Sequence, residues 1–383
     1  MMPEYYEFYN PVKILSGRNA ISNIAFELQT RGVKNPIILG NRYAEKIKTA
    51  AGCGVVFSGI PADSSVDTVN KAAKVYRGNG CDSLIAVGGG SVLDTAKGLS
   101  LLINLGGDDL LSHMGVEIAD MAQRIPFIAV PTTAGTGSEV TEVAVIKDHE
   151  RGIKMEFISS NILPHVAVLD PEMTISLPAK NTASTGMDAL THAIEAYTCS
   201  QKNPVSDAYA FTAIKLISEN LIGAVEEPSN ENCRMALANA SLLAGCAFSN
   251  SMVGIVHAIG HAAGGVSGIP HGDAMSILMS HCMRYNMYTV GKLYGELLLP
   301  LAGEEVFAST PKAGRGMASV KAVEDMLGTL NEKTGLATRL SEDGVTEGDL
   351  PKIAQAAIND GAMICNPRAA DTDDVMGILK EAY

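Results

Sequence analysis

Three of the chain's eight histidines stand in one apolar, glycine-rich stretch, "GIVHAIGHAAGGVSGIPHGDA", as His257, His261 and His271. A second stretch, "GMDALTHAIEAY", sets Asp188 and His192 four residues apart, on one face of an expected helix. His257 and His261 share that spacing, and His271 follows a "GGVSGIP" loop that can fold back. One carboxylate and three imidazoles suit a divalent transition metal. A single His pair at helical spacing reads better as core packing or capping. Two helices each bringing such a pair, with a third histidine on a loop, favour a metal. Spacing alone leaves open whether His257 or His261 is the ligand. It also leaves Glu195, on the face of Asp188 and His192, as a candidate.

A second signal lies earlier. "LIAVGGGSVLDTAKGL" reads as a buried strand, a Gly88-Gly89-Gly90-Ser91 turn and a helix. Glycines let backbone approach a ligand closely, and a helix start offers unpaired N–H groups to a pyrophosphate. The spacing is not the G-x-G-x-x-G of the usual dinucleotide fingerprint. "VPTTAGTGSEVT" is another turn after a strand, rich in Gly, Thr and Ser. Either could be a plain tight turn; two on neighbouring strands favour a nucleotide crevice.

The elements that must position these residues follow from periodicity. Short apolar runs at 37–40, 55–59, 84–88, 127–130 and 166–169 suit strands buried on both faces. Helical patterns lie between them at 19–31, 42–50, 66–79 and 92–104. This alternation predicts a doubly wound α/β domain with a mostly parallel sheet. Residues 143–158 read as a hairpin. Beyond "SLPAKNTASTGMD" strands give way to helices at 182–198, 204–223, 230–250, 254–265, 272–301, 316–335, 347–361 and 371–382. The expected division is therefore residues 1–180, binding a dinucleotide, and residues 181–383, all-helical and metal-binding. Residues 302–316 read as a flexible loop.

Bulk properties exclude other classes. The 383-residue chain is 46% hydrophobic and 19% charged, with a net charge of −13, which fits a globular protein and argues against nucleic acid. No apolar run is long enough for a membrane span. The start, "MMPEYYEFYN", is neither a signal nor a transit peptide. Seven scattered cysteines without a C-x-x-C pair point to reduced thiols and a cytoplasmic protein.

The segments "GGGSVLDTAK", "PTTAGTGSE", "LDPEMTISLP", "TASTGMDALTHAIEAY", "GIVHAIGHAAGGVSGIPHG" and "NPR" resemble the iron-containing (group III) alcohol dehydrogenases over essentially the whole chain. The resemblance implies an N-terminal dinucleotide-binding α/β domain and a helical C-terminal domain. It implies Asp188, His192, His257 and His271 as metal ligands, with His261 nearby, towards the nicotinamide. It places the phosphate turn on Gly88, Gly89, Gly90 and Ser91, and Asp94 at the nicotinamide end. Thr132, Thr133 and Ser138 fall on the second cofactor turn, and Lys154 near the ribose. It also implies a homodimer or larger assembly. The sequence departs from the family after His271, where Ser276 and Ser280 replace a common Asn and Pro.

The implied activity is hydride transfer between a short alcohol or diol and NAD(P), with the substrate oxygen on the metal. An alcohol's pKa of about 16 stands about nine units above that of histidine, on the order of 13 kcal/mol, so an imidazole alone cannot take the proton. A divalent cation lowers the pKa of a bound water by about that much. Iron is the expected metal and zinc the alternative. The second strand ends in Gly40, Asn41 and Arg42, without the acid that many NAD sites place on the ribose 2′-OH. That favours NADP(H) over NAD(H), since one charge interaction is worth up to about 4 kcal/mol near a surface. A dehydroquinate-synthase-like lyase on the same fold, using NAD and a metal, is the alternative function. A metal-free maleylacetate reductase and a non-catalytic scaffold fit the intact ligand set less well.

Overall fold

The computed structural model describes residues 3–115, 121, 123–151 and 153–383. The chain divides into two compact units: Asn10–Ser176, and Leu177–Tyr383 together with the stretch up to Tyr9.

In the first unit the chain runs through β1 (Lys13–Ser16), α1 (Ile24–Thr30), β2 (Pro36–Gly40), α2 (Ala44–Ala51), β3 (Val55–Phe57), α3 (Val66–Gly78), β4 (Ser83–Gly88) and α4 (Gly90–Leu105). It continues through β5 (Phe127–Pro131), β6 (Val143–Asp148), β7 (Ile153–Ile158), β8 (Val166–Leu169) and α5 (Pro171–Thr174). Six strands form one sheet in the order β1-β8-β5-β4-β2-β3, with every pairing parallel. Strand residues alternate between its faces. Ile37, Leu39, Leu84, Ala86 and Phe127 pack with α3 and α4; Ile38, Ile85, Val87, Ile128 and Val168 pack with α1 and α2. Burial on both sides explains why β2, β4 and β8 are unbroken apolar runs.

The connection from β2 runs outward to β3, whereas that from β4 runs the other way to β5, so the strand order reverses between β2 and β4. The carboxyl ends of the strands at such a reversal are the place where open α/β sheets bind ligands. Backbone closeness fixes this edge. A Cβ on Gly40 would lie 2.5 Å from Val87 Cγ1 and 2.6 Å from Val87 O. The expected hairpin forms as the antiparallel pair β6–β7.

The second unit is helical: α6 (Ala179–Thr198), α7 (Pro204–Glu226), α8 (Glu231–Phe248), α9 (Ile255–Ser267), α10 (His271–Ser309), α11 (Arg315–Thr334), α12 (Leu350–Ala357), α13 (Gly361–Ile364) and α14 (Thr372–Ala382). α10 deviates from helical geometry at Val290 and at Gly303, where φ is 84°. The segment expected as a loop at 302–316 is therefore mostly helix: Gly303 allows a break, the chain then re-enters the helix, and it stops only at Ser309. His271, expected in a loop, is instead the first residue of α10, with Pro270 at the preceding cap position. All seven cysteines are free thiols. Among the described residues, no helix is long and apolar enough to cross a membrane.

Candidate functional site

In the helical unit, α6 carries Asp188 and His192 one turn apart, α9 carries His257 and His261, and His271 opens α10. One donor atom from each of Asp188, His192, His257 and His271 lies within 4.8 Å of the other three. His271 Nε2 stands 3.3 Å, and His192 Nδ1 3.7 Å, from Asp188 Oδ1. The rings of His192 and His257 are tilted at a centroid separation of 4.5 Å. Asp188, His192 and His257 are buried, whereas the His271 side chain is 39% exposed, so the cluster opens on the His271 side.

The cluster fits a cation. Asp188 Oδ1, His192 Nδ1 and His257 Nε2 are buried without a hydrogen-bond partner. Three orphaned polar atoms facing one another cost several kcal/mol unless something satisfies them. Their charge states suit metal binding, which needs neutral imidazole and ionised carboxylate. Burial drives the His192 imidazole down to about 3 and holds His257 well below the ordinary histidine range. Burial alone would raise the Asp188 carboxyl, but the imidazoles of His192 and His271 outweigh it and hold it low.

Of the two histidines that spacing left open, His257 joins the cluster. His261 sits at its edge, stacked on His271 at 5.4 Å and joined through Nδ1 to Asp360 Oδ2 at 3.0 Å. Glu195 is not part of the cluster. It meets His257 Nδ1 at 2.6 Å, on the far side of the ring from the orphaned Nε2. Burial raises the Glu195 carboxyl to about 7. Phe248 stacks on His192 at 4.3 Å. Ser276 and Ser280 are both buried on α10, and Ser276 Oγ donates to Gly272 O at 2.6 Å. The partner carboxylate Asp360 carried no sequence signal, since it lies 99 residues from His261.

Of the expected cofactor residues in the α/β unit, Gly40, Asn41, Arg42, Gly88, Gly89, Gly90, Ser91, Thr132 and Thr133 lie at the carboxyl ends of β2, β4 and β5, three strands that are neighbours in the sheet. α4 begins at Gly90, and its cap residue Gly89 has no side chain to satisfy the first N–H groups. Such a helix start receives anions. The two glycine-rich turns pack on each other: a Cβ on Gly89 would lie 3.2 Å from Thr133 Cγ2, and one on Gly90 3.0 Å from Thr136 Cγ2. Ser91 Oγ donates to Ala62 O. Asp94 accepts from Ser138 Oγ at 3.0 Å and from Val145 N at 3.1 Å, tying the second turn to the hairpin. Behind it, buried Lys97 donates to Thr141 Oγ1 and Val143 O, and desolvation lowers its ammonium to about 8.

Asn41 is exposed and bonds to the chain that follows β3. Its Nδ2 donates to Ile60 O at 3.0 Å, and its Oδ1 accepts from Gly59 N at 2.9 Å. Arg42 is exposed, its guanidinium 5.5 Å from the Tyr43 ring centroid. Lys154, on β7, pairs with Asp63 at 3.3 Å.

The chain thus carries a parallel α/β unit and a helical unit with a His₃Asp candidate metal centre. Residues 11–171 match the family described as iron-containing alcohol dehydrogenase, and residues 182–383 match the Fe-containing alcohol dehydrogenase family, C-terminal. The chain belongs to the iron-containing alcohol dehydrogenase family. It is 35% identical to the NAD-dependent methanol dehydrogenase of Bacillus methanolicus, covering 98% of this chain and 99% of that protein. It is equally similar, at 35% identity over 99% of both chains, to the 1,3-propanediol dehydrogenase of Klebsiella pneumoniae. A crystal structure of a 1,3-propanediol oxidoreductase superposes with a TM-score of 0.93 at 33% identity, covering 99% of this chain and all of that one. The protein is thus an alcohol-dehydrogenase-type oxidoreductase with a candidate metal centre.

Proposed function

We propose that this protein transfers a hydride between a short alcohol or diol and a nicotinamide dinucleotide, oxidising the alcohol to its aldehyde and reducing the aldehyde in reverse. Asp188, His192, His257 and His271 hold a divalent cation, iron(II) first and zinc(II) as the alternative. The observation that carries this reading is the convergence of three buried, unpartnered donor atoms with a fourth from His271. When bound, the cation supplies Lewis acidity, lowering the pKa of an alcohol O–H and polarising a carbonyl.

The chain's own residues do the rest. Asp188 brings the charge that opposes the cation, and the neutral imidazoles bring lone pairs. Phe248 covers one face of His192 and keeps water from it. His261, held through Nδ1 by Asp360, takes the proton that leaves the alcohol and returns it on reduction. Gly88, Gly89, Gly90 and Ser91 receive the pyrophosphate on backbone N–H groups. Thr132 and Thr133 flank that turn, while Asp94 acts through Ser138 and Val145 to hold the second turn in place.

The cofactor is NADP(H) in preference to NAD(H), because neutral Asn41 and cationic Arg42 follow β2. Two relatives bear names that point to the other cofactor: the methanol dehydrogenase named as NAD-dependent, and a sulfoacetaldehyde reductase of Bifidobacterium kashiwanohense, solved with NAD+. The test is elemental analysis of purified protein coupled to turnover with short alcohols, diols and aldehydes and each cofactor. Stoichiometric metal and net nicotinamide reduction by an alcohol are expected. Metal-free protein with full turnover would overturn the reading. A lyase that regenerates its own cofactor would show no net reduction.

A further inference from the structure

Helix α9 begins without a cap of its own. Gly254 occupies the cap position and offers no side-chain acceptor, so the first N–H groups of the helix need partners from elsewhere. Two residues distant in sequence supply them. Glu195 accepts from Gly254 N at 2.9 Å through Oε2 and from Val256 N at 2.7 Å through Oε1. Asn366 Oδ1 accepts from Ile255 N at 3.2 Å, and its amide is pinned in turn by reciprocal bonds with Asn286 at 2.9 and 3.0 Å. A cavity of about 10 Å³, room for a single water, lies behind this clamp and is lined by Glu195, Asn286, Tyr294 and Asn366.

Glu195 does one thing that Asn366 does not. Its Oε2 also meets His257 Nδ1, at 2.6 Å. Both Glu195 oxygens already accept backbone N–H groups, so the carboxyl is arranged here as an acceptor. The ring proton then sits on Nδ1 and the lone pair on Nε2, the atom left without a partner in the cluster. We infer that Glu195 is a positioning residue for the metal centre: one carboxylate fixes the tautomer and direction of the His257 ring while anchoring the end of the helix that carries it. The inference rests on the metal reading above. Glu195 itself lies on α6 one turn beyond His192, so a single helix supplies two ligands and the group that aims a third. Partners of this kind raise the ligand's basicity as well as its order, and their loss costs about 10–100-fold in metal affinity.

The experiment measures the Zn²⁺ dissociation constant of the full-length protein by chelator competition, alongside thermal unfolding, for wild type, Glu195→Gln, Glu195→Ala and Asn366→Ala. Gln keeps one acceptor oxygen and the side chain's volume, so this variant guards against a failure of Ala to fold. The expected order of affinity is wild type, then Gln about tenfold weaker, then Ala about 100-fold weaker. Asn366→Ala, which uncaps the same helix end without touching His257, is expected to lower the unfolding temperature and leave zinc affinity within about threefold of wild type. Wild-type zinc affinity in both Glu195 variants overturns the inference and leaves the metal reading standing. Equal losses in Asn366→Ala and Glu195→Gln also overturn it, because capping alone would then explain the effect. Failure of the wild type to bind Zn²⁺ overturns the metal reading and this inference together.

Discussion

Gly272 and Ser184 are in backbone contact: a Cβ on Gly272 would lie 2.5 Å from Ser184 Oγ and 2.7 Å from Ser184 O. This contact joins the first turn of α10, which carries His271, to α6, which carries Asp188 and His192. Ser184 Oγ reinforces it by donating to Asp273 Oδ1 at 2.5 Å, and Lys180 pairs with the other Asp273 oxygen at 3.5 Å. Gly272→Ala must push against a helix backbone that cannot yield as a side-chain tip would. The expected cost is about 1–3 kcal/mol of stability, with His271 displaced from Asp188 and metal lost on dialysis against a mild chelator. Unchanged metal content in Gly272→Ala protein would show that α10 can shift without opening the cluster.

Cofactor choice is testable at Asn41. Asp in its place keeps the acceptor for Gly59 N and Ile60 N but loses the donor to Ile60 O. It also brings a negative charge to the carboxyl end of β2. Asn41→Asp should lower the ratio of kcat/KM for NADP(H) over NAD(H) by tenfold or more, a shift of about 1.4 kcal/mol and within the range for one near-surface charge. The same assays on wild type decide the preference itself: a large NAD(H) preference there ends the NADP(H) reading.

The sequence made the sheet legible wherever a strand is buried on both faces, because such a strand is an unbroken apolar run bounded by Gly or Pro. β1 escaped for the opposite reason. It lies at the sheet's edge as "KILS", largely exposed, and shows neither a run nor an alternation. Residues 302–316 read as a loop, yet the helix continues to Ser309, because Gly303 only interrupts it. The cluster's members were legible because Asp188 and His192 repeat at helical spacing on one element. Resemblance was needed to choose His257 over His261, since both lie on α9 one turn apart. What stayed out of reach were the partners. Asp360 and Asn366 meet His261 and Ile255 from 99 and 111 residues away, and only tertiary packing brings them there. Glu195 was visible on the right helical face, but the face does not say whether a carboxylate binds a metal or aims a ligand.

His165 gives a pH prediction that does not involve the metal. Its Nδ1 accepts from Phe127 N at 3.2 Å, beside the β5–β8 pairing. Burial, helped by the charges of Arg124 and Arg31, lowers its imidazole from 6.5 to about 4. Between those values the unfolded chain binds the proton and the folded chain does not, so stability rises with pH across this window. The contribution is complete above pH 6.5 and drains away as pH falls through 4. Discounted for its partial exposure, it is worth about 1–3 kcal/mol. His165→Gln cannot titrate. Its stability deficit against wild type in urea unfolding should be constant above pH 7 and shrink towards pH 4. A deficit that grows on acidification would mean that His165 is protonated in the fold.

The last prediction separates proton handling from metal binding. Asp360 makes two bonds: Oδ2 to His261 Nδ1 at 3.0 Å, and Oδ1 from Ala362 N at 2.9 Å, capping α13. Asparagine caps a helix about as well as aspartate, so Asp360→Asn should leave the unfolding temperature close to wild type. It removes the charge that holds His261 with its Nδ1 proton inward, and it permits the opposite amide orientation, which would reverse the ring's tautomer. Neither Asp360 nor His261 belongs to the metal cluster, so metal content should be unaffected. With the ring misdirected, kcat should fall towards the loss expected for His261→Ala, about 10²–10⁴-fold for a positioned acid–base group. Asp360→Asn combined with His261→Ala should then be little worse than His261→Ala alone, because the carboxylate acts only through the imidazole. Additive losses in the double variant would place Asp360 in a separate role and leave His261 without its orienting partner.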